Sequence, residues 1–111
     1  MFGKSQKCFA EKIYSITKAF PKEEKFGLIL VLRRASISIS SNIAEGSSRT
    51  TAKEQSRFYT IGNSSVIKVL NQLIISKELK FLDVEDYIEL RSDIELFTAM
   101  LNKLQLARQN S

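Results

Sequence analysis

Arg33-Arg34-Ala35-Ser36-Ile37-Ser38-Ile39-Ser40-Ser41-Asn42-Ile43-Ala44-Glu45-Gly46-Ser47-Ser48-Arg49 can be read as a strand or as a helix, and the fold turns on which it is. Ser36 to Ser40 alternate polar and apolar, as a half-buried strand would. Against a strand, the twenty residues before it hold no hairpin signal and its flanks are good helix formers. The helical reading leaves apolar residues on two sides: Phe26, Leu30, Ile37 and Ala44 form one stripe, and Leu28, Leu32, Ala35 and Ile39 form another. A helix apolar on two sides is buried on two sides. One side is then expected to pack within the chain and the other against another subunit.

The rest of the chain agrees with helix. Of 111 residues only one is proline and four are glycine, too few for a turn-rich β fold. Upstream, Phe9, Ile13, Ile16 and Phe20 recur at i, i+4, i+7 and i+11, and Pro21 ends that helix. Downstream, Thr51-Ala52-Lys53-Glu54 reads as a capping box. It opens a third helix with Phe58, Ile61, Ser65, Val69, Gln72 and Ser76 on one stripe and Val66, Leu70, Leu73 and Ile74 beside it. Asp83 suits the N-cap of a fourth helix, whose seam is Tyr87, Leu90, Ile94, Phe97, Leu101 and Leu104, with its other face solvated. Helices over about residues 4–19, 22–45, 52–79 and 84–107, the second stopping at Gly46, joined by short loops, predict one all-α domain over 1–111. Its expected architecture is an antiparallel up-down-up-down four-helix bundle.

Composition narrows the function. Hydrophobic residues make up 43% and charged residues 26%, a globular balance. Histidine is absent and Cys8 is the single cysteine, so zinc sites, Ser-His-Asp triads and disulfides within the chain are excluded. No catalytic residue, metal or cofactor is expected, and the chain reads as non-enzymatic. Cys8 is expected to be buried or half-buried. No run reaches the roughly 18 apolar residues of a membrane span, and Met1 to Ser5 lack a signal core. A cytoplasmic protein without a membrane partner is expected. The net charge of +5 is uneven: residues 83–111 carry −3, while 1–21, 22–50 and 51–82 carry +3, +2 and +3. That asymmetry fits a nucleic-acid partner, or basic and acidic faces meeting between subunits.

Arg49, Lys53 and Arg57 are the candidate nucleic-acid contacts, with Tyr59 placed to stack on a base and Arg34 as a further phosphate ligand. The other reading of this group is a solvated basic face with Phe58 in the core. Lys4, Lys7 and Lys12 form a second, weaker patch. Arg33 and Arg34 point about 100° apart, so one can serve phosphate while the other pairs with Glu45 or another acid across an interface. Asn42 and Glu45, three residues apart, suit locking a helix end or fixing interface register. Ser38 and Gly46 fall in the same structural set.

Nearly the whole chain also resembles the 23S rRNA-intervening-sequence proteins, a family of small bacterial four-helix bundles. The likeness is carried by Ile13-Tyr14, Thr17, Phe20-Pro21, Phe26-Gly27-Leu28, Arg33-Arg34-Ala35, Ser38-Ile39, Asn42-Ile43-Ala44-Glu45-Gly46 and Arg49, then Phe58, Ser65, Gln72-Leu73, Leu79 and Leu82. The resemblance implies a ring-shaped homopentamer. It brings in a relative, the accessory variability protein of diversity-generating retroelements, a basic pentamer that binds nucleic acid beside a reverse transcriptase. For members encoded inside rRNA insertions it implies RNA as ligand, with no enzymatic activity attached. Three positions depart from the family pattern: Ser40 replaces a proline that kinks helix 2, Lys80 a glycine that ends helix 3, and Lys68 a glutamate. If that glutamate pairs with an arginine of helix 2, the pairing is rewired here or Lys68 points outward. The expected function is RNA binding through basic patches repeated around the oligomer. The alternative is an adaptor that recruits a protein such as a reverse transcriptase or a ribosome-associated factor.

Overall fold

Two of the three hydroxyls of the alternating stretch turn back onto their own helix. Ser36 Oγ donates to the Arg33 carbonyl at 2.9 Å and Ser40 Oγ to the Ile37 carbonyl at 3.2 Å. These two polar groups are thus satisfied one turn earlier, the Ser38 hydroxyl meets that of Ser65 at 2.7 Å, and the segment is helical throughout. The structure, a computed structural model, describes residues 2–109, with side chains described over 8–107. Four long helices occupy most of that range: α1 (Phe2–Thr17), α2 (Leu30–Ser48), α3 (Ala52–Glu78) and α4 (Val84–Gln109). No strand occurs among the described residues.

The entry to α2 is not the regular helix expected from residue 22. After Pro21 comes a 3-10 turn (Lys22–Glu24), then a π turn (Lys25–Ile29) broken at Gly27, where φ is −105° and ψ −109°. The irregularity lies here and not at Ser40. It buries Leu28 while leaving Phe26 80% exposed. At the other ends the local chemistry is as expected. Thr51 Oγ1 accepts the Glu54 N–H at 3.2 Å and Asp83 Oδ1 accepts the Asp86 N–H at 2.8 Å, each satisfying a donor that a helix start leaves free. Helix α3 closes with the Lys80 N–H donating to the Lys77 carbonyl and the Phe81 N–H to the Ser76 carbonyl, both at 3.0 Å. This is a Schellman motif. Lys80 sits at its left-handed position with φ 66°, so the lysine adopts the conformation glycine favours.

The core is one continuous cluster. Phe9 and Ile13 of α1, Leu32 and Ile39 of α2, Val66, Val69 and Leu73 of α3, and Leu90 and Leu101 of α4 are all 2% exposed or less. Removing each of these from water contributes about 1.5–3 kcal/mol. The Phe9 and Phe97 rings meet edge to face at 5.2 Å. Buried hydroxyls are also bonded within their own helices: Thr17 Oγ1 to the Ile13 carbonyl and Ser76 Oγ to the Gln72 carbonyl, both at 2.7 Å.

Contacts fix how the helices lie together. Ser38 meets Ser65 and Gly46 meets Tyr59 between α2 and α3. Thr60 meets Gln105 and Lys77 meets Tyr87 between α3 and α4. Phe9 meets Phe97 and Lys12 meets Asp93 between α1 and α4. In each pair of helices, position rises along one as it falls along the other.

The seam predicted for α4 is observed from Tyr87 to Leu101, with Leu104 half-buried. Its other face is not simply solvated: Val84, Ile88, Leu96 and Leu106 lie there exposed. Helix α2 is apolar on two sides as expected. The stripe containing Leu28, Leu32, Ala35 and Ile39 is the one the chain buries, and Phe26, Ile37 and Ala44 face outward.

Candidate nucleic-acid interface

The site begins where α2 hands over to α3. Gly46 is buried inside α2, and a Cβ at that position would come within 2.5 Å of the Tyr59 ring. The glycine is there because an aromatic ring presses on the helix backbone. Two expectations fall together. Gly46 does not stop the helix, which runs two residues further to Ser48 before Arg49 turns extended. Tyr59 cannot stack on a base: its ring is 2% exposed and its hydroxyl lies 3.3 Å from Ser47 Oγ.

Consecutive residues on a helix point about 100° apart, so burying Tyr59 leaves its neighbour Phe58 half-buried at the edge of the helix. The inner face of α3 accordingly runs through Tyr59, Gly62, Val66, Val69 and Leu73, and Ile61 is exposed. Phe58 becomes the platform instead. The Arg49 guanidinium lies 4.9 Å from its ring centroid and that of Arg57 6.0 Å. Lys53 is exposed one turn before Arg57, with no carboxylate within 4 Å among the described residues. Arg49 also bonds Glu45 at 2.7 Å, and Gln55 Nε2 donates to the Arg49 carbonyl at 3.0 Å, which holds the loop. Guanidinium groups resting on an aromatic face keep donors free at their edges for phosphate.

The two adjacent arginines separate in role. Arg33 Nε donates to Thr17 Oγ1 at 2.9 Å, Nη2 donates to the Tyr14 carbonyl at 3.4 Å, and the guanidinium covers the Tyr14 ring at 4.6 Å. It joins α2 to the C-terminal end of α1, where a positive charge is favoured, and does not reach Glu45. Arg34 faces the other way. It lines a shallow groove between α2 and α3 with Val31, Ala35, Ser38, Ser65 and Lys68. Lys68 is exposed and has no carboxylate partner among the described residues. Under the groove, Asn42 Nδ2 donates to the Ser38 carbonyl (2.9 Å) and to Ser38 Oγ (3.0 Å), and the Ser38 and Ser65 hydroxyls are 2.7 Å apart. Asn42 therefore secures the α2–α3 contact and does not pair with Glu45.

The second predicted patch is not supported at Lys12, whose ammonium is tied to Glu89 (2.9 Å) and Asp93 (3.1 Å) of α4. Hydrogen bonds to Glu89 and then Asp93 hold its pKa above the usual lysine value. The Lys4 and Lys7 side chains lie outside the described residues. Cys8 is exposed rather than buried, because Phe9 beside it takes the core position. The Lys12 link was not visible in the sequence, since its partners are some eighty residues away. The outer stripe of α4 was visible at helical spacing but masked by interleaved acids.

Among the described residues no group of three or more His, Cys, Asp or Glu is placed to hold a metal ion. The segment Lys22–Ser48 has the length and mean hydropathy (1.2) of a membrane-crossing helix, contrary to the expectation from apolar runs. Its inner stripe belongs to the chain's own core and Arg33 ties its middle to α1. A family model described as 23S rRNA-intervening sequence protein matches residues 3–103 of the chain. No curated protein matches it.

Proposed function

We infer, for a chain that belongs to the 23S rRNA-intervening sequence protein family, a non-enzymatic role in binding RNA. The observation that carries this reading is the pair of guanidinium groups, Arg49 and Arg57, beside the half-buried ring of Phe58, with Lys53 next to them. Such a surface binds phosphate through charge and offers an aromatic edge to a base, without base-specific readout. Arg34 and Lys68 extend the positive surface along the α2–α3 groove. The family name, which refers to an insertion in ribosomal RNA, favours RNA over DNA. The assembly in this reading is an up-down-up-down bundle forming a ring-shaped homopentamer in the cytoplasm. The opposed course of the neighbouring helices and the outward apolar stripes of α2 and α4 support it. Five copies of one modest patch would then act together.

Fluorescence anisotropy of labelled single-stranded RNA, duplex RNA and duplex DNA, titrated at low and physiological salt, tests the reading. Three cations per subunit give log K a slope against log salt of about −2 for each subunit engaged on a single strand. Arg49→Glu, Lys53→Glu and Arg57→Glu together abolish binding and leave the oligomer intact. If wild-type protein binds none of the three ligands at physiological salt, the RNA reading is wrong and the adaptor reading, with a protein partner, takes its place. If the triple variant dissociates the oligomer, these residues belong to an interface.

A further inference from the structure

The groove between α2 and α3 carries a cation from each helix and no acid to answer them. Arg34 and Lys68 are both exposed, and neither pairs with a carboxylate among the described residues. The two helices supply none nearby: neither Gly27 to Ala44 nor Gln55 to Lys77 contains an aspartate or a glutamate. Beyond those limits, Glu24 lies before the kink at Gly27 and Glu45 is held by Arg49 at 2.7 Å. Glu54 and Glu78 stand at the two ends of α3, each about 15 Å or more along the helix from Lys68.

The floor between the cations is polar. Ser38 and Ser65 line it, and Ser65 is 8% exposed. Asn42 Nδ2 donates to Ser38 Oγ at 3.0 Å, so that oxygen is already an acceptor. Ser65 either donates to the Ile61 carbonyl at 3.3 Å or to Ser38 Oγ at 2.7 Å. In the second, shorter arrangement the Ser38 proton is left over for an oxygen lying in the groove. The cavity measures about 270 Å³, and a water's share of liquid is about 30 Å³, so a phosphate group fits.

Charge narrows the ligand further. A phosphate within a nucleic-acid strand carries one negative charge, whereas a phosphate monoester carries about −1.5 to −2 at pH 7. Two fixed cations on one small cavity match the monoester. Guanidinium offers it a planar fork and ammonium a point charge. The groove also lies in line with the basic patch. Lys68 follows Arg57 by eleven residues of α3, about three turns and 20°, so the two share a face about 17 Å apart. At about 3.4 Å per stacked nucleotide that is a span of about five.

We propose that the α2–α3 groove binds the terminal phosphate of an RNA strand, between Arg34 and Lys68 and against the Ser38 hydroxyl. The rest of the strand lies along α3 towards Arg57, Lys53 and Arg49. This deepens the RNA reading above and rests on it.

The test compares decauridylate RNA, labelled internally, with hydroxyl ends, with a 5′-phosphate and with a 3′-phosphate, by fluorescence anisotropy. At pH 7.5 a phosphate on one of the two ends should tighten binding about tenfold, the scale of one added charge-assisted contact. At pH 5.0 the gain should shrink, because the monoester takes up a proton near pH 6. The chain has no histidine, so Arg34 and Lys68 keep their charges over that range. Arg34→Gln and Lys68→Gln, shown to be folded by circular dichroism, should each cut the gain to twofold or less. Equal affinity for all three RNAs, a gain undiminished at pH 5.0, or a gain that survives both substitutions overturns the proposal. The pH comparison uses wild-type protein and decides even if a variant fails to fold. If hydroxyl-ended RNA binds and a terminal phosphate adds nothing, only the groove assignment falls. If no RNA binds, the RNA reading falls with it. A neutral phosphoserine peptide that binds where phosphorylated RNA gains nothing gives the groove to a protein partner and overturns the proposal.

Discussion

Gly46 lies against the ring of Tyr59 so closely that a Cβ on residue 46 would stand 2.5 Å from Cε1 of the tyrosine. Helix propensity alone would have Gly46→Ala stabilise the protein by about 1 kcal/mol. The contact reverses the sign. Overpacking a helix against a buried ring costs about 1–3 kcal/mol, so urea denaturation should show a lower midpoint for the alanine variant. A raised midpoint would mean that the ring yields freely.

Arg33 and Thr17 form the polar joint between α2 and α1. Arg33→Lys keeps the charge but loses the fixed fork and the cover over Tyr14, at a cost of about 1–2 kcal/mol. Thr17→Val removes the acceptor at similar cost. Since both act on one contact, the double variant should cost measurably less than the two singles added. Simple additivity in denaturation would show that the joint contributes nothing as a unit.

Lys80 holds a left-handed conformation, φ 66°, that costs a side-chain-bearing residue about 1–2 kcal/mol. Lys80→Gly should therefore stabilise the protein by up to about 1 kcal/mol after the extra freedom of the unfolded glycine is deducted. Thermal unfolding reads the shift directly, and a fall in Tm would show that the lysine side chain makes a compensating contact.

The ion pairs of α1 with α4 have a pH signature. Lys12 has a raised pKa through hydrogen bonds to Glu89 and Asp93. The folded state therefore holds its proton more tightly than the unfolded chain. That contribution is complete below the unfolded lysine value of about 10.4 and is lost as pH rises through the higher folded value. Its side chain is 38% exposed, so solvent screening keeps the effect under about 1 kcal/mol. Lys12→Met should lower stability at neutral pH and flatten the alkaline decline seen in wild-type urea midpoints.

Asp86 has the opposite signature. Burial first, then the charges of Asp83, Glu89 and Glu85, hold its carboxyl above 3.8. A carboxyl whose folded pKa is raised favours the fold in acid and loses that contribution as pH rises through the folded value. Asp86→Asn should raise stability at neutral pH by a few tenths of a kcal/mol, the scale of like-charge repulsion on a helix, and leave it unchanged below pH 3.8. A destabilised variant at neutral pH would show that the charge at the start of α4 outweighs the repulsion.

Helix content was legible because the signals are local: Thr51 and Asp83 as caps, the α4 seam and the sparse proline and glycine all act within a few residues. The site was legible in part. Arg49, Lys53 and Arg57 do gather near the α2–α3 turn, but the aromatic partner was misassigned. Phe58 and Tyr59 are neighbours of similar size, and only the facing surface of α2, with glycine at 46, decides which ring goes inside. Cys8 and Phe9 pose the same choice, and the more apolar side chain takes the interior. The kink at Gly27 lay hidden because a π turn widens the helix by one residue without proline or a second glycine to mark it.

The inward hydroxyls differ in what they ask of their surroundings. Ser36 and Ser76 give their protons to carbonyls of their own helices and, among the described residues, are joined to no facing side chain by a hydrogen bond. Thr17 and Ser65 each serve a second helix as well, through Arg33 and Ser38. Over evolutionary time positions 36 and 76 are therefore free to wander among small residues one at a time. Positions 17 and 65 are bound to change in step with 33 and 38, leaving paired substitutions as the trace of two helices that had to move together.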